Sequence, residues 1–181
     1  MGRHAIVALT LRHSPWLQAQ LLVALALLIA CALPVQAQQG TYTLKAMTPE
    51  TAQAAAMAAL LHCRAQGHQV GVAVVDRSGV LQAFVRDRYA GAHTVEMATG
   101  KAWTAASFRI DTSALAAETQ PGKSMSGIRS HPRVLAAGGG LAIASGDALV
   151  GGIGVSGAPG GEADDACARA GLKAVADALD F

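Results

Sequence analysis

The side chains able to do chemistry in this sequence are few and scattered. Outside the N-terminal stretch there are four histidines, His62, His68, His93 and His131. Imidazoles of this kind ligate metals and haem iron and exchange protons near neutral pH. None stands at metal-ligand spacing from another histidine, a cysteine or an acid, so neither a structural zinc nor a catalytic metal is indicated. His62 and His68 flank the end of a helix and read as solvated termini. His93 precedes a second helix, where it would edge a pocket, and His131 lies in a polar loop of the kind that often carries binding groups. Lys101 sits on that second, largely apolar helix, one turn beyond Met97 and beside Trp103 and Thr104. Two roles are open to it. It could snorkel at the edge of the core, or it could meet a carboxylate or propionate in a pocket near glycine-rich backbone. The motifs G-x-S-x-G, S-x-x-K and H-E-x-x-H are all missing, so covalent catalysis is not expected and the chain reads as a binding protein.

The glycine-rich backbone is Leu149–Ser156, an apolar strand interrupted by Gly151, Gly152 and Gly154. Glycines inside a strand mark places where a ligand or another backbone comes close. The strand turns through Gly157–Gly161 into a helix that opens on Glu162, Asp164 and Asp165, acids that suit the positive end of a helix dipole. Gly152–Gly157 formally matches the dinucleotide pattern G-x-G-x-x-G. Its first glycines lie within the strand and the helix starts about five residues later, whereas the motif needs them at the helix mouth. Three acids there would also repel a pyrophosphate.

The elements that must hold these residues follow from local signals. Thr48-Pro49-Glu50 is a helix start, with an N-cap threonine and proline at the first position, and the helix runs to about Arg64. Val70–Val75 is a nearly unbroken apolar run and reads as a strand covered on both faces. Asp76–Gly79 fits a type I turn into a returning strand, Val80–Arg86. A second helix covers Thr94 to about Phe108 and a short one Ser113–Thr119. Gln120–Arg133 is a polar loop, and Gly138-Gly139-Gly140 leads into a strand at Leu141–Ser145. The final helix, Glu162–Leu179, carries Ala168, Leu172, Val175 and Leu179 on one stripe. Two hairpins separated by helices imply an antiparallel sheet with helices over its faces.

The N-terminus reads as an export signal. Arg3 and Arg12 form a basic region, Leu21–Leu33 is a 13-residue uncharged apolar run, and Val35-Gln36-Ala37 matches a cleavage site after Ala37. Such a run is short of the roughly 20 residues that span a bilayer, so no integral membrane segment is expected after processing. Leu28–Cys31 offers the alternative of a lipidated Cys31. The expectation is a periplasmic or secreted single domain over residues 38–181. Without Arg3 and Arg12 the 14 basic residues fall to 12, equal to the 12 acidic ones; no basic face suggests nucleic acid. So few charges and so much alanine, glycine and valine favour close packing and a homo-oligomer. Cys63 and Cys167 remain, either as buried free thiols, the preferred reading, or as one disulfide of an exported protein.

Five segments, in order, resemble the GlcG/HbpS-like family: GVAVVDRSG at 71–79, GKAWTAASF at 100–108, GGGLAI at 138–143, GGIGVSGA at 151–158 and DDACARAG at 164–171. The family is also seen as the C-terminal domain of PduO-type proteins. The resemblance spans roughly residues 48–181. It implies a profilin-like α/β (α+β) fold, a five-stranded antiparallel sheet packed between helices, and homo-oligomers. It further implies haem as the ligand, with sequestration, sensing or haem handling as the role and a sensor protein as a partner. The alternative is a periplasmic module for a small organic acid such as glycolate. Carried onto this chain, the site is Lys101, Thr104, Gly151, Gly152 and Gly154, to which His93 and His131 are added as candidate ligands on their position alone. The acid-x-x-acid iron motif of some exported relatives has only a partial counterpart in Glu162–Asp165, which speaks against surface iron binding.

Overall fold

The structure, a computed structural model, describes residues 16, 19, 20 and 40–179. The expected cleavage site at Ala37 and the alternative at Cys31 lie outside the described residues. Among the described residues no helix is long and apolar enough to cross a membrane. Residues from Thr43 onward form one compact unit. Its elements are α1 (Pro49–Ala65), β1 (Gly71–Asp76), β2 (Leu81–Arg86), α2 (Thr94–Phe108), α3 (Thr112–Glu118), a 3-10 turn (Ser126–Ser130), β3 (Gly140–Ser145), β4 (Ala148–Ser156), α4 (Gly161–Ala174) and α5 (Ala176–Leu179).

The sheet has four strands among the described residues, in the order β2-β1-β4-β3, and every pairing is antiparallel. The expected fifth strand is not there. Only four extended apolar segments form strands between residues 40 and 179; the segment before α1 exposes Tyr42 and Leu44, sends Met47 into the core and joins no strand of the sheet. Each hairpin supplies two adjacent strands, and the hairpins join through β1 and β4, with Val72 opposite Val155 and Val74 opposite Ile153.

Alternation along β1 and β4 divides the core into two layers. Val72, Val74, Ile153 and Val155 face α1 and α4, together with Leu141 and Ile143 of β3. Ala73 and Val75 face α2, against Ala98, Ala102 and Ala106. On that second face β4 presents Gly152 and Gly154. A Cβ at Gly154 would stand 2.0 Å from the Ala98 carbonyl oxygen, and one at Gly152 would stand 2.4 Å from that of Ala102. The helix therefore lies directly on strand backbone, which only glycine permits.

Local signals and structure agree closely at α1, where Thr48 Oγ1 accepts the Thr51 amide and Pro49 opens the helix. The last helix differs: it breaks at Val175, so the expected continuous span becomes α4 and α5. The apolar stripe persists across the break, with Ala168 and Val175 buried and Leu172 and Leu179 packed against the same core. Cys63 of α1 and Cys167 of α4 form a disulfide, which corrects the free-thiol expectation. Two small-residue helix faces that pack on each other bring the cysteines together, and this proximity is invisible in one dimension.

Candidate functional site

Helix α2 is the element on which the candidate residues converge. Its inner face of alanines meets the sheet, and its outer face carries Val95, Glu96, Thr99, Gly100 and Trp103. Over that outer face folds the segment that follows the 3-10 turn. The two enclose an open cleft of about 430 Å³, lined by Val95, Met97, Gly100, Trp103, Arg133 and Leu135 among others. Gly100 is what lets the segment settle: a Cβ there would stand 2.5 Å from Leu135 Cδ1. Thr104, fully buried, accepts the Leu135 amide at 3.0 Å and so pins the segment to α2.

The Trp103 indole organises the mouth of the cleft. The His131 ring stacks on it at 5.7 Å between centroids and 7° between planes. The Arg133 guanidinium lies over it at 4.2 Å, in cation–π range. Arg133 N–H donates to His131 Nδ1 at 3.2 Å. With Nδ1 accepting, a neutral imidazole carries its proton on Nε2, so ligation through Nε2 would exchange that tautomer and release the Arg133 amide. His93 is exposed at the start of α2, where its backbone carbonyl accepts the amide of Met97, one turn on.

Lys101 has a different position from either expected one. It is 4% exposed, and its ammonium donates to Asp164 Oδ2 at 2.8 Å and to the Val155 carbonyl at 2.9 Å. The carboxylate it meets is therefore the protein's own. Asp164 also accepts the Ala158 amide at 3.0 Å. Burial holds the Asp164 carboxyl above the ordinary carboxylate range, against the pull of Lys101, and Asp165 next door adds to the rise. Asp165 in turn accepts the Gly139 amide. These contacts join α2, α4, the end of β4 and the triple-glycine loop into one buried polar knot. Gly139 sits at its centre with φ 113°, where a Cβ would meet the Val155 oxygen at 2.6 Å and Lys101 Nζ at 2.8 Å.

The seven expected site residues thus divide. His131 and Thr104 border or support the cleft, and His93 stands at the end of the helix that walls it. Lys101 belongs to the knot. Gly151, Gly152 and Gly154, expected as pocket backbone, are closed over by protein: Gly152 and Gly154 by α2, and Gly151 by the Val75 carbonyl, 2.3 Å from where its Cβ would be. The physical reason is that glycine in a strand admits any close backbone, and here a helix occupies the space. Trp103, Arg133 and Met97 were not singled out as ligand groups. An aromatic and a cation flanking a histidine loop were the available signal. Asp164 and Asp165 read in the sequence as helix-dipole partners, and their burial came from the tertiary structure. Among the described residues no group of three or more histidine, cysteine or acidic side chains could hold a metal ion.

Residues 47–173 match the family model described as haem degrading protein HbpS-like. The chain belongs to the HbpS-like family. The crystal structure of a double mutant of HbpS from Streptomyces reticuli superposes with a TM-score of 0.70 at 37% identity, covering 78% of this chain and 96% of that one. The crystal structure of a PduOC–haem complex gives 0.68 at 30% identity, over 72% and 95% of the two chains. Klebsiella pneumoniae protein ORFY gives 0.75 at 26% identity, over 78% and 98%. In sequence, the chain is 39% identical over 98 residues to the corrinoid adenosyltransferase PduO of Salmonella typhimurium, a stretch that is 52% of this chain and 29% of that protein. The matched stretch therefore spans less than a third of that relative.

Proposed function

We propose that this protein binds haem non-covalently in the cleft between α2 and the 132–135 segment. The observation that carries the reading is the cleft itself, in a chain whose family model is haem-related and one of whose structural neighbours was crystallised with haem. The donor set fits the group. A thioether, Met97, lines the cleft, and imidazoles stand at its mouth (His131) and at the end of its helical wall (His93); both donor types ligate haem iron. Trp103, Val95 and Leu135 offer apolar surface, and Arg133 offers the planar cation that pairs with a carboxylate. About 430 Å³ lies within the usual range of roughly 300–1,000 Å³ for cofactor sites. Haem, when bound, supplies a redox-active iron. The chain's own part is to hold the ring on Trp103, to meet a propionate with Arg133 and to fix the loop through Thr104.

In this reading the protein is exported and works as a homo-oligomer that sequesters or senses haem, with a sensor protein as a partner. The Cys63–Cys167 disulfide supports an oxidising compartment. Exposed Met57 and Leu61 on α1, and Val80 and Leu81 at the first hairpin, supply apolar surface for subunit contacts. No observation favours the small-acid module built on Lys101, because that ammonium is already committed to Asp164.

A haemin titration of the purified protein, followed in the Soret region, tests the proposal. Saturable binding with a shifted band is expected, altered in one of His93→Ala, Met97→Ala or His131→Ala and weakened in Arg133→Ala. A spectrum that haem leaves unchanged sinks the haem reading. Binding that is unaffected by all four substitutions sinks the cleft as its place.

A further inference from the structure

The sheet has two free edges, and they differ. On β3 the outward amides of Gly140 and Ala142 are taken by the side chains of Thr112 and Asp111. On β2 nothing takes that place. Asp76 N–H donates to the Val80 carbonyl and Asp87 N–H to the Val70 carbonyl. Bonded pairs alternate along an antiparallel ladder, so Ala83 and Val85 bond to β1, while Phe84 and Arg86 turn their N–H and C=O groups outward. Among the described residues no hydrogen bond meets those backbone groups. Edge strands are commonly guarded by lysine or proline, and LQAFVR holds neither; its one charge, Arg86, donates back to the Ala90 carbonyl of its own chain.

Helix α1 continues this edge one layer up. Glu50, Met57 and Arg64 follow at a spacing of two helical turns and so share one face of α1, with Leu61 beside them. Arg64 reaches Asp87 just beyond β2, so this face overlooks the open edge. On it Met57 and Leu61 are 41% and 49% exposed, and Glu50 makes no ion pair among the described residues. Both α1 and β2 run toward the Arg64–Asp87 contact. From Arg64 back to Met57 the helix covers about 10 Å, and from Asp87 back to Phe84 the strand covers about 10 Å. Met57 therefore stands level with Phe84.

We infer that the β2 edge is an interface for a second copy of this chain, joined antiparallel across a two-fold axis that passes by Phe84 and Met57. Phe84 is half-buried on the α2 side of the sheet and meets the Phe84 of the second copy as a cross-strand aromatic pair. Gln82 meets Arg86, so no like charges are opposed. One layer up, α1 packs on both β1 and β2, so its axis lies between them. Strand spacing then sets the two α1 axes about 10 Å apart, the distance at which helices pack. Met57 there faces Met57, and Glu50 of each copy faces Arg64 of the other, a pairing of opposite charge. Arg64 holds Asp87 through Nε and Nη2, which leaves Nη1 for that contact. The inference rests on the homo-oligomer reading, whose interface it names, and uses no residue of the haem cleft.

The test is the mass of the purified protein by light scattering after gel filtration, for the parent and for Met57→Lys, Met57→Glu, Phe84→Lys and Phe84→Glu. A dimer, or an assembly with an even number of subunits, is expected for the parent. Each single variant sets like charges opposite one another and should weaken association about tenfold or more. Mixing the lysine and glutamate variants of one position should restore the parent mass, because each of these residues meets its own counterpart. Met57 is exposed, so its variants leave the core alone and decide the matter if a Phe84 variant fails to fold. A monomeric parent overturns this interface and the homo-oligomer reading together. An assembly that persists unweakened in the Met57 variants, or that does not return on mixing them, overturns the interface alone.

Discussion

Replacing Lys101 by methionine removes the cation from a pair in which both side chains are about 95% buried. Asp164 would keep only the Ala158 amide as a partner and would stand beside Asp165. Breaking a buried pair on one side costs about 3–5 kcal/mol, because the remaining charge is neither hydrated nor compensated. For a domain of this size that corresponds to a fall in melting temperature of about 10–20 °C. The sign of the pH dependence follows from Asp164. Its carboxyl already lies above the ordinary range because burial disfavours the charge, and loss of Lys101 removes the chief opposing influence. A folded-state value raised above the unfolded one gives stability that is present below about pH 4 and lost as pH rises through the folded value. Lys101→Met should therefore be closest to the parent in acid and furthest from it at neutral pH. Urea denaturation at about pH 5 and about pH 7 measures this. Lys101→Met/Asp164→Asn should regain most of the loss, since asparagine still accepts the Ala158 amide and carries no charge. A single variant within about 0.5 kcal/mol of the parent at neutral pH, yet impaired in ligand binding, would refute the reasoning and return Lys101 to the ligand.

Gly154→Ala should destabilise by about 1–3 kcal/mol or more in the same denaturation assay, since its Cβ meets helix backbone at 2.0 Å. Gly127→Ala, with nothing within 4 Å of its Cβ, should leave stability unchanged. Reducing the disulfide, or replacing Cys63 and Cys167 together by alanine, should cost about 2–4 kcal/mol, because the bond closes a loop across a sequence separation of 104 residues; equal midpoints with and without reductant would show that the bond adds nothing. Arg64 grips Asp87 with two hydrogen bonds at 2.9 and 3.0 Å, and that pairing holds the Asp87 carboxyl below the ordinary range. This stability is present above about pH 4 and lost as pH falls through the folded value. Asp87→Asn should show a shallower acid limb, and an unchanged limb would exclude Asp87 from acid unfolding.

Much of the architecture was legible because it depends on short-range signals. The Thr48-Pro49 cap, the Asp76–Gly79 turn and the unbroken apolar run at Val70–Val75 each act within a few residues, so the order of helices and hairpins could be read along the chain. The family motifs also lie in continuous stretches, and they pointed to haem and to the antiparallel sheet while overstating its strand number. Which partner occupies a close approach is a different kind of information. Gly152 and Gly154 announced that something lies against the strand, and only the packing of α2 showed it to be a helix and not a ligand. Lys101 reads in the sequence as a cation at the core edge or in a ligand pocket, and only the fold buries it against a counter-charge 63 residues away on α4. Cys63 and Cys167 became a bond when two helix faces met. Conformational preference belongs to a residue and its near neighbours, whereas electrostatic pairing and cavity formation depend on distances in space, and these exist only once the chain has folded.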